Sequence, residues 1–354
     1  MARPNLFDQG TSELTQDAAL CWLLAWADHR CATDDPGLHM AGRGLVRALL
    51  STHGLQEPEE RYEVRVERQE ARVDVVARIG SAYVLGIEDK TESGIHGNQL
   101  ATYRNYLAAL AQKEGRTAVP VYVKSGEVAE GAAVRAAGWQ VFGRAQLAAV
   151  LDEAVVRGCR NDVLLEYRAW LARREELAAA WRVLPANGGW WGQTWQGLYS
   201  ELASRMTWAR HLDWGYVANP REGFQALWWG FHPVGSVEIY LQLQQEALAV
   251  RVKMKAAGDR THLARHWRER ILATGRHLGF VQPSRLRPGE SMAVALLPNW
   301  RVGGGEGRLD LPATLDRLRM LDGWVQALAA DAVPSPVGSA GNPGQAAAAA
   351  GRDG

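Results

Sequence analysis

An α/β protein is predicted, with a second, Trp-rich α+β domain behind the first. Three observations carry that prediction. Residues 1–155 alternate helix-spaced and strand-spaced apolar segments, with a helix, three strands, a helix and a strand at their centre. Twelve of the fifteen tryptophans stand at Trp170 or later, a composition shift that sets residues 156–331 apart as an accessory domain. Residues 332–354 are Pro, Gly, Ser and Ala with almost no large apolar side chain, and are expected to be a disordered tail.

The elements follow in order. Thr11 or Ser12 can cap a helix over residues 13–28, with Leu14, Ala18, Cys21 and Ala25 on one stripe. A second helix is expected over residues 41–50. Tyr62, Val64 and Val66 alternate with charges, the pattern of a strand with one wet face. Residues 73–79 read as its neighbour, and Gly80-Ser81 turns the chain into a third strand at 83–88. Helical spacing returns at 96–111, strand at 117–124, helix at 127–137 and a short strand at 140–142. Helical sequence around 145–182 leads into the second domain.

Composition narrows the function classes. The chain has 354 residues, 47% hydrophobic and 22% charged, ordinary for a globular protein. Cys21, Cys31 and Cys159 form neither a disulfide framework nor a metal knuckle, so a reduced, cytoplasmic protein is expected. No apolar run reaches about eighteen residues, so a membrane span and a membrane partner are not expected. Net charge is +1, yet residues 251–287 hold 10 basic and 2 acidic side chains, and a local patch of that kind can hold a polyanion.

The chemistry-bearing segments are Arg72-Val73-Asp74-Val75 and Gly86-Ile87-Glu88-Asp89-Lys90. Alternation puts Glu88 and Lys90 on one strand face, and the turn at Gly80 should bring Asp74 alongside. Two carboxylates and an ammonium then converge. Hard oxygen ligands of this sort suit Mg²⁺, with Mn²⁺ as a substitute, because such an ion takes few protein ligands and keeps several waters. A metal there would acidify a bound water, and Lys90 would orient or deprotonate it. The chain has 35 Arg and only 5 Lys, yet this position is Lys, and arginine cannot act as a base. The bland alternative is a set of exposed strand residues in surface ion pairs.

The order helix, three strands, helix, strand, together with Gly86-Ile87-Glu88-Asp89-Lys90-Thr91-Glu92-Ser93 and Asn98-Gln99-Leu100-Ala101-Thr102-Tyr103, resembles the PD-(D/E)xK nuclease superfamily. The closer similarity is to its RecB-like branch, with a Glu-x-Lys strand and a Gln-x-x-x-Tyr helix. Ser12-Glu13-Leu14-Thr15-Gln16-Asp17-Ala18 resembles the first helix of stand-alone members. The resemblance spans residues 8–150 and implies a restriction-endonuclease-like core. It implies Asp74 and Glu88 as metal ligands, Glu13 as a support for a metal-bound water or second metal, and Lys90 as the water-activating group. Gln99 and Tyr103, four apart on one helix face, would brace the site and touch the nucleic-acid backbone. Val73 stands where the family's first motif has Pro. Asp89 alternates to the opposite face and ranks below Glu88 as a ligand, Asp17 reads as a surface or bracing residue, and His96 reads as a solvated loop histidine, with a phosphate contact as the alternative.

Elsewhere, Arg251, Lys253 and Lys255 alternate with apolar residues and make a basic stripe that could track a phosphate backbone, with Arg265, Arg268 and Arg270 extending it. Trp190-Trp191 and Trp228-Trp229 read as core aromatics, with base stacking as the alternative. The expected function is an Mg²⁺-dependent nuclease acting on DNA in preference to RNA, in defence against foreign DNA or in repair. A homodimer is left open. The alternative is a non-catalytic nucleic-acid-binding or sensor protein that keeps the fold.

Overall fold

The structure, a computed structural model, describes residues 4–59, 61–95, 97–219, 223–254, 260–287 and 289–331. Lys255, His96 and the 332–354 tail lie outside them. The protein is mixed α/β, with two five-stranded sheets flanked by helices.

The first half opens with α1 (Ser12–Ala25) and α2 (Pro36–Ser51). The second helix starts five residues earlier than the apolar spacing predicts. Asp35 caps it by accepting from Leu38 N at 2.9 Å, and Pro36, with φ preset, takes the first turn. Strands β1 (Val64–Glu70), β2 (Val73–Ile79) and β3 (Tyr83–Lys90) form an antiparallel meander. Helix α3 (Gln99–Glu114) then crosses over to β4 (Thr117–Lys124), which runs parallel to β3. After the short α4 (Gly131–Ala136), β5 (Gln140–Gly143) adds parallel to β4, and the sheet order is β1-β2-β3-β4-β5. The α4 helix is shorter than the 127–137 expected, because Glu127 and Glu130 ahead of it pair with Arg144 and Lys124.

Alternation along these strands builds two cores. Val75, Ala77, Ile79, Leu85 and Ile87 face α1, α2, α5 (Arg144–Val156) and α6 (Asp162–Ala179). Leu164, Tyr167, Trp170 and Leu171 of α6 belong to this cluster. Val76, Val84 and Tyr122 face α3 together with Leu100, Leu107 and Trp139. Gly86 sits on that second face, where an added Cβ would stand 2.2 Å from a Leu107 methyl. The missing side chain is what lets α3 lie close over β3.

The β1–β2 connection carries no turn signal in sequence. Ala71 (φ 50°) and Arg72 (φ 72°) make a two-residue hairpin loop in the left-handed region, which favours Asn and Gly. At the other end of β1, the buried Asp28 accepts from Val64 N at 2.8 Å and from Arg30, tying the end of α1 to the sheet.

The second half holds α7 (Gly192–Arg205), then β6 (Asp213–Val217), β7 (Phe224–Val234), β8 (Val237–Gln244), β9 (Ala247–Met254), α8 (Arg260–Gly275), β10 (Ser291–Pro298) and α9 (Leu311–Ala330). Its sheet is antiparallel throughout, ordered β10-β9-β8-β7-β6. One face packs on the three helices through Trp195, Trp229, Val250, Val252, Trp267 and Trp300. No helix among the described residues is long and apolar enough to cross a membrane.

Candidate active site

The site gathers where β3 ends. Glu88 and Lys90 point from β3 to the α3 side, and Asp74 reaches them from β2. Lys90 Nζ lies 2.6 Å from Glu88 Oε1 and 3.6 Å from Asp74 Oδ2. The Asp89 backbone N–H donates to Asp74 Oδ2 at 2.8 Å, which fixes that carboxylate against β3. Gln99, the first residue of α3, donates its side-chain amide to Glu88 Oε1. The close approach of α3 that Gly86 permits is therefore what brings Gln99 to the strand.

Burial makes this group electrostatically unusual. Glu88 is fully buried, and its Oε1 takes both Lys90 and Gln99 while Oε2 has no partner. Burial first, then the Asp74 charge, pushes the Glu88 carboxyl up to about 7. For Lys90, burial works downward, but the hydrogen bond that it donates to Glu88 and the charges of Glu88, Asp74 and Glu13 outweigh it, and the ammonium is held above its usual range. The protein's own groups therefore keep Lys90 protonated. Tyr103 lies one turn along α3. Its hydroxyl is raised by burial and then by the charges of Glu88 and Asp74, which places it in the same field. Glu13, half-buried at the start of α1, accepts from Ser93 Oγ and adds to the field on Lys90.

Asp89 points the other way, as strand alternation requires. It is buried against α1, accepts from Gln16 Nε2, and lies beside Asp17. Burial and the neighbouring Asp17 charge push Asp89 well above the carboxylate range. Asp17 itself is pushed up to about 6 by burial and then by the Asp74 charge. The end of β3 therefore carries a carboxylate pair with a lysine on its α3 face and a second, lysine-free pair on its α1 face.

Among the described residues, no group of three or more His, Cys, Asp and Glu side chains is set to hold a metal. Asp74 and Glu88 offer two hard oxygen ligands, and the buried, unpartnered Glu88 Oε2 is the atom that a cation would satisfy. A hard ion that keeps most of its waters fits that donor set.

Lys124 was not singled out by sequence reasoning. It stands in register with Lys90 at the end of β4, is buried, and pairs with Glu130 at 2.7 Å. Its signal was its rarity, as one of 5 lysines closing a strand. The basic stripe is elsewhere. Arg251 donates to Tyr240 Oη at 3.0 Å and to the Ser291 carbonyl at 2.9 Å, and Lys253 lies across from Glu238. Both face away from α8, so Arg265, Arg268 and Arg270 do not extend their stripe. Of the tryptophan pairs, Trp229 is buried and Trp228 half-buried, while Trp190 packs on Trp195 and Trp191 is exposed.

No protein-family model, curated protein or solved structure matches the chain.

Proposed function

We propose that this chain is a divalent-metal-dependent nuclease, hydrolysing phosphodiester bonds in DNA in preference to RNA. Its first sheet, with α1 and α3, is read as a restriction-endonuclease-like core of the PD-(D/E)xK type. The observation that carries the reading is convergence: Asp74, Glu88, Lys90 and Gln99 come from two strands and a helix onto one set of oxygens.

Asp74 and Glu88 would hold Mg²⁺ or Mn²⁺, which when bound supplies charge stabilisation at the phosphate and a more acidic water. Lys90 Nζ, already anchored between the carboxylates, orients the attacking water by hydrogen bonding. Gln99 holds Glu88 Oε1, which leaves Oε2 as the oxygen that would take such an ion. Glu13, with Ser93, sits at the edge of this field as an acceptor for a further water. Defence against foreign DNA or repair is the setting that the resemblance implies.

Cleavage of plasmid and of single-stranded DNA with Mg²⁺ or Mn²⁺ tests the reading. Lys90→Ala is expected to lose about 10²- to 10⁴-fold in rate, the range for a positioned proton-handling group. Equal cleavage by the variant rejects the role given to Lys90. One observation favours a second reading, a non-catalytic DNA-binding module. Lys90 already pairs with both carboxylates, and among the described residues no third ligand joins them. That module would bind DNA with an affinity that falls with salt and would cut nothing.

A further inference from the structure

A cleft of about 1170 Å³ opens between the two halves of the molecule, next to the site just described. One wall carries Ser93, which donates to Glu13, and Lys124, which stands in register with Lys90. The other wall is the start of α7 and the edge of the second sheet, where β6 is the last strand.

Lys124 has the position of a substrate contact. Register partners on parallel strands share a face, so Tyr122 stands beside Glu88 and Lys124 beside Lys90, all on the α3 side. Neighbouring strands are about 4.8 Å apart, so two ammonium groups root next to one another. They do so where β3 and β4 end, and ligands of open α/β sheets bind outside the carboxyl ends of the strands. The chain has 5 lysines against 35 arginines, and two of the 5 meet here.

The group that holds Lys124 shows what it can take. Lys124 Nζ donates to Glu130 Oε1 at 2.7 Å, and Tyr122 Oη donates to the same oxygen. One anionic oxygen thus receives an ammonium and a hydroxyl, both of which are ordinary donors to a nucleic-acid phosphate. Lys124 and Tyr122 are fixed on β4, whereas Glu130 ends the irregular segment 125–130 between β4 and α4. Stability gives little reason for the pair. Lys124 is only 4% exposed, and taking two charges out of water costs about as much as their attraction returns. The other acids on this wall already have partners, Glu92 in Arg174 and Glu127 in Arg144. A phosphate that displaced Glu130 would leave Lys124 paired and release Glu130 into the water of the cleft.

We propose that Lys124 and Tyr122 bind a backbone phosphate of the nucleic-acid strand, next to the phosphate held at Lys90, and that Glu130 occupies their place in the free protein. This rests on the nuclease reading for its purpose, which is to seat the strand across the ends of β3 and β4. Glu130 is then an internal competitor of the substrate. Its removal and the removal of Lys124 must act in opposite directions, which a purely structural ion pair would not do.

The test uses the full chain without divalent ion, so that binding is read apart from cleavage. A fluorescein-labelled single-stranded oligothymidylate is titrated by fluorescence anisotropy over a series of salt concentrations. Lys124→Ala should weaken binding about 10-fold, the lower end for a hydrogen bond to a charged group. It should also flatten the slope of log affinity against log salt by about 0.7, the share of one phosphate contact. Glu130→Gln should tighten binding about 2- to 5-fold, because the ion pair that a phosphate must break is gone. Lys124→Arg keeps the charge, should keep the parent's slope, and guards against misfolding of the Ala variant. Equal affinity and slope in Lys124→Ala and the parent overturn the contact, as does a parent that does not bind the oligonucleotide. Weaker binding by Glu130→Gln overturns the competitor role. Plasmid cleavage with Mg²⁺ separates the two proposals. Cutting by a parent whose binding ignores Lys124 sinks the phosphate contact alone. The expected binding shifts in a parent that does not cut sink the nuclease alone.

Discussion

In the first sheet β3, β4 and β5 run parallel and end along one edge, so Lys90, Lys124 and Gly143 stand side by side. In the second sheet every pair is antiparallel, and its basic residues lie along a strand face, where Arg251 is tied to Tyr240 and Ser291. The two sheets have the same number of strands and comparable cores. What separates them is direction. A parallel run delivers several strand ends, with their free loops, to one place, and ligand sites in open α/β sheets gather there. An antiparallel sheet sends alternate ends to opposite sides and spreads its charges. The second sheet instead offers an edge, and the cleft follows that edge.

The first sheet is tested at Gly86, where β3 and α3 approach closely. Gly86→Ala drives a Cβ into Leu107 and should cost about 1–3 kcal/mol by overpacking. Thermal denaturation should show that loss, and cleavage should fall with it as α3 is pushed away. Combined with Leu107→Ala, it should cost less than the two single losses added together, because residues in direct contact couple. Full activity and an unshifted midpoint in Gly86→Ala alone would mean that the close approach of α3 does not matter.

A smaller effect is expected from Gln99→Leu, which leaves the fold and removes the donor on Glu88. Loss of such a supporting hydrogen bond costs about 10- to 100-fold in metal affinity or activity. The effect should appear as a higher Mg²⁺ requirement, measured by titrating the ion against cleavage rate. A variant with an unchanged Mg²⁺ curve would show that α3 does not orient the ligand.

The smallest effect concerns acid. Arg78 on β2 pairs with Glu70 at 3.0 Å and with Glu114 of α3 at 2.9 Å, clamping the first sheet to its helix. Hydrogen bonding by Arg78 brings Glu70 down from 4.5 to about 2. A carboxylate depressed by folding adds stability that is complete above its ordinary value and is lost as the pH falls through the folded one. The parent should therefore lose more thermal stability than Glu70→Gln between pH 4.5 and 2. Parallel acid curves for the two proteins would remove the clamp from the account.

Much of the first sheet was legible because its signals are local. The strand at 117–124 falls where its β-branched run places it, and the face shared by Glu88 and Lys90 follows from a period of two. The hairpin loop at Ala71-Arg72 was not legible, since neither residue is one that a left-handed turn selects. Nor was the early start of α2, where the information was Asp35-Pro36 rather than apolar spacing. At the site, the two-residue spacing in Glu88-x-Lys90 and the four-residue spacing of Gln99 and Tyr103 could be read directly. The partnership of Lys124 with Glu130, the placing of Asp89 against Gln16 and Asp17, and the separation of Arg251 from the α8 arginines could not.

By itself the sequence determined which residues share a strand face or a helix turn, because those periods are set by backbone geometry within a few residues. Only the tertiary structure decided which faces meet. The pairing of Lys90 with Asp74, the hold of Gln99 on Glu88 and the bond of Ser93 to Glu13 depend on how sheets and helices close over distance. Burial then supplied what no spacing encodes. It took the Glu88 carboxylate out of water, raised it to about 7, and left Oε2 without a partner.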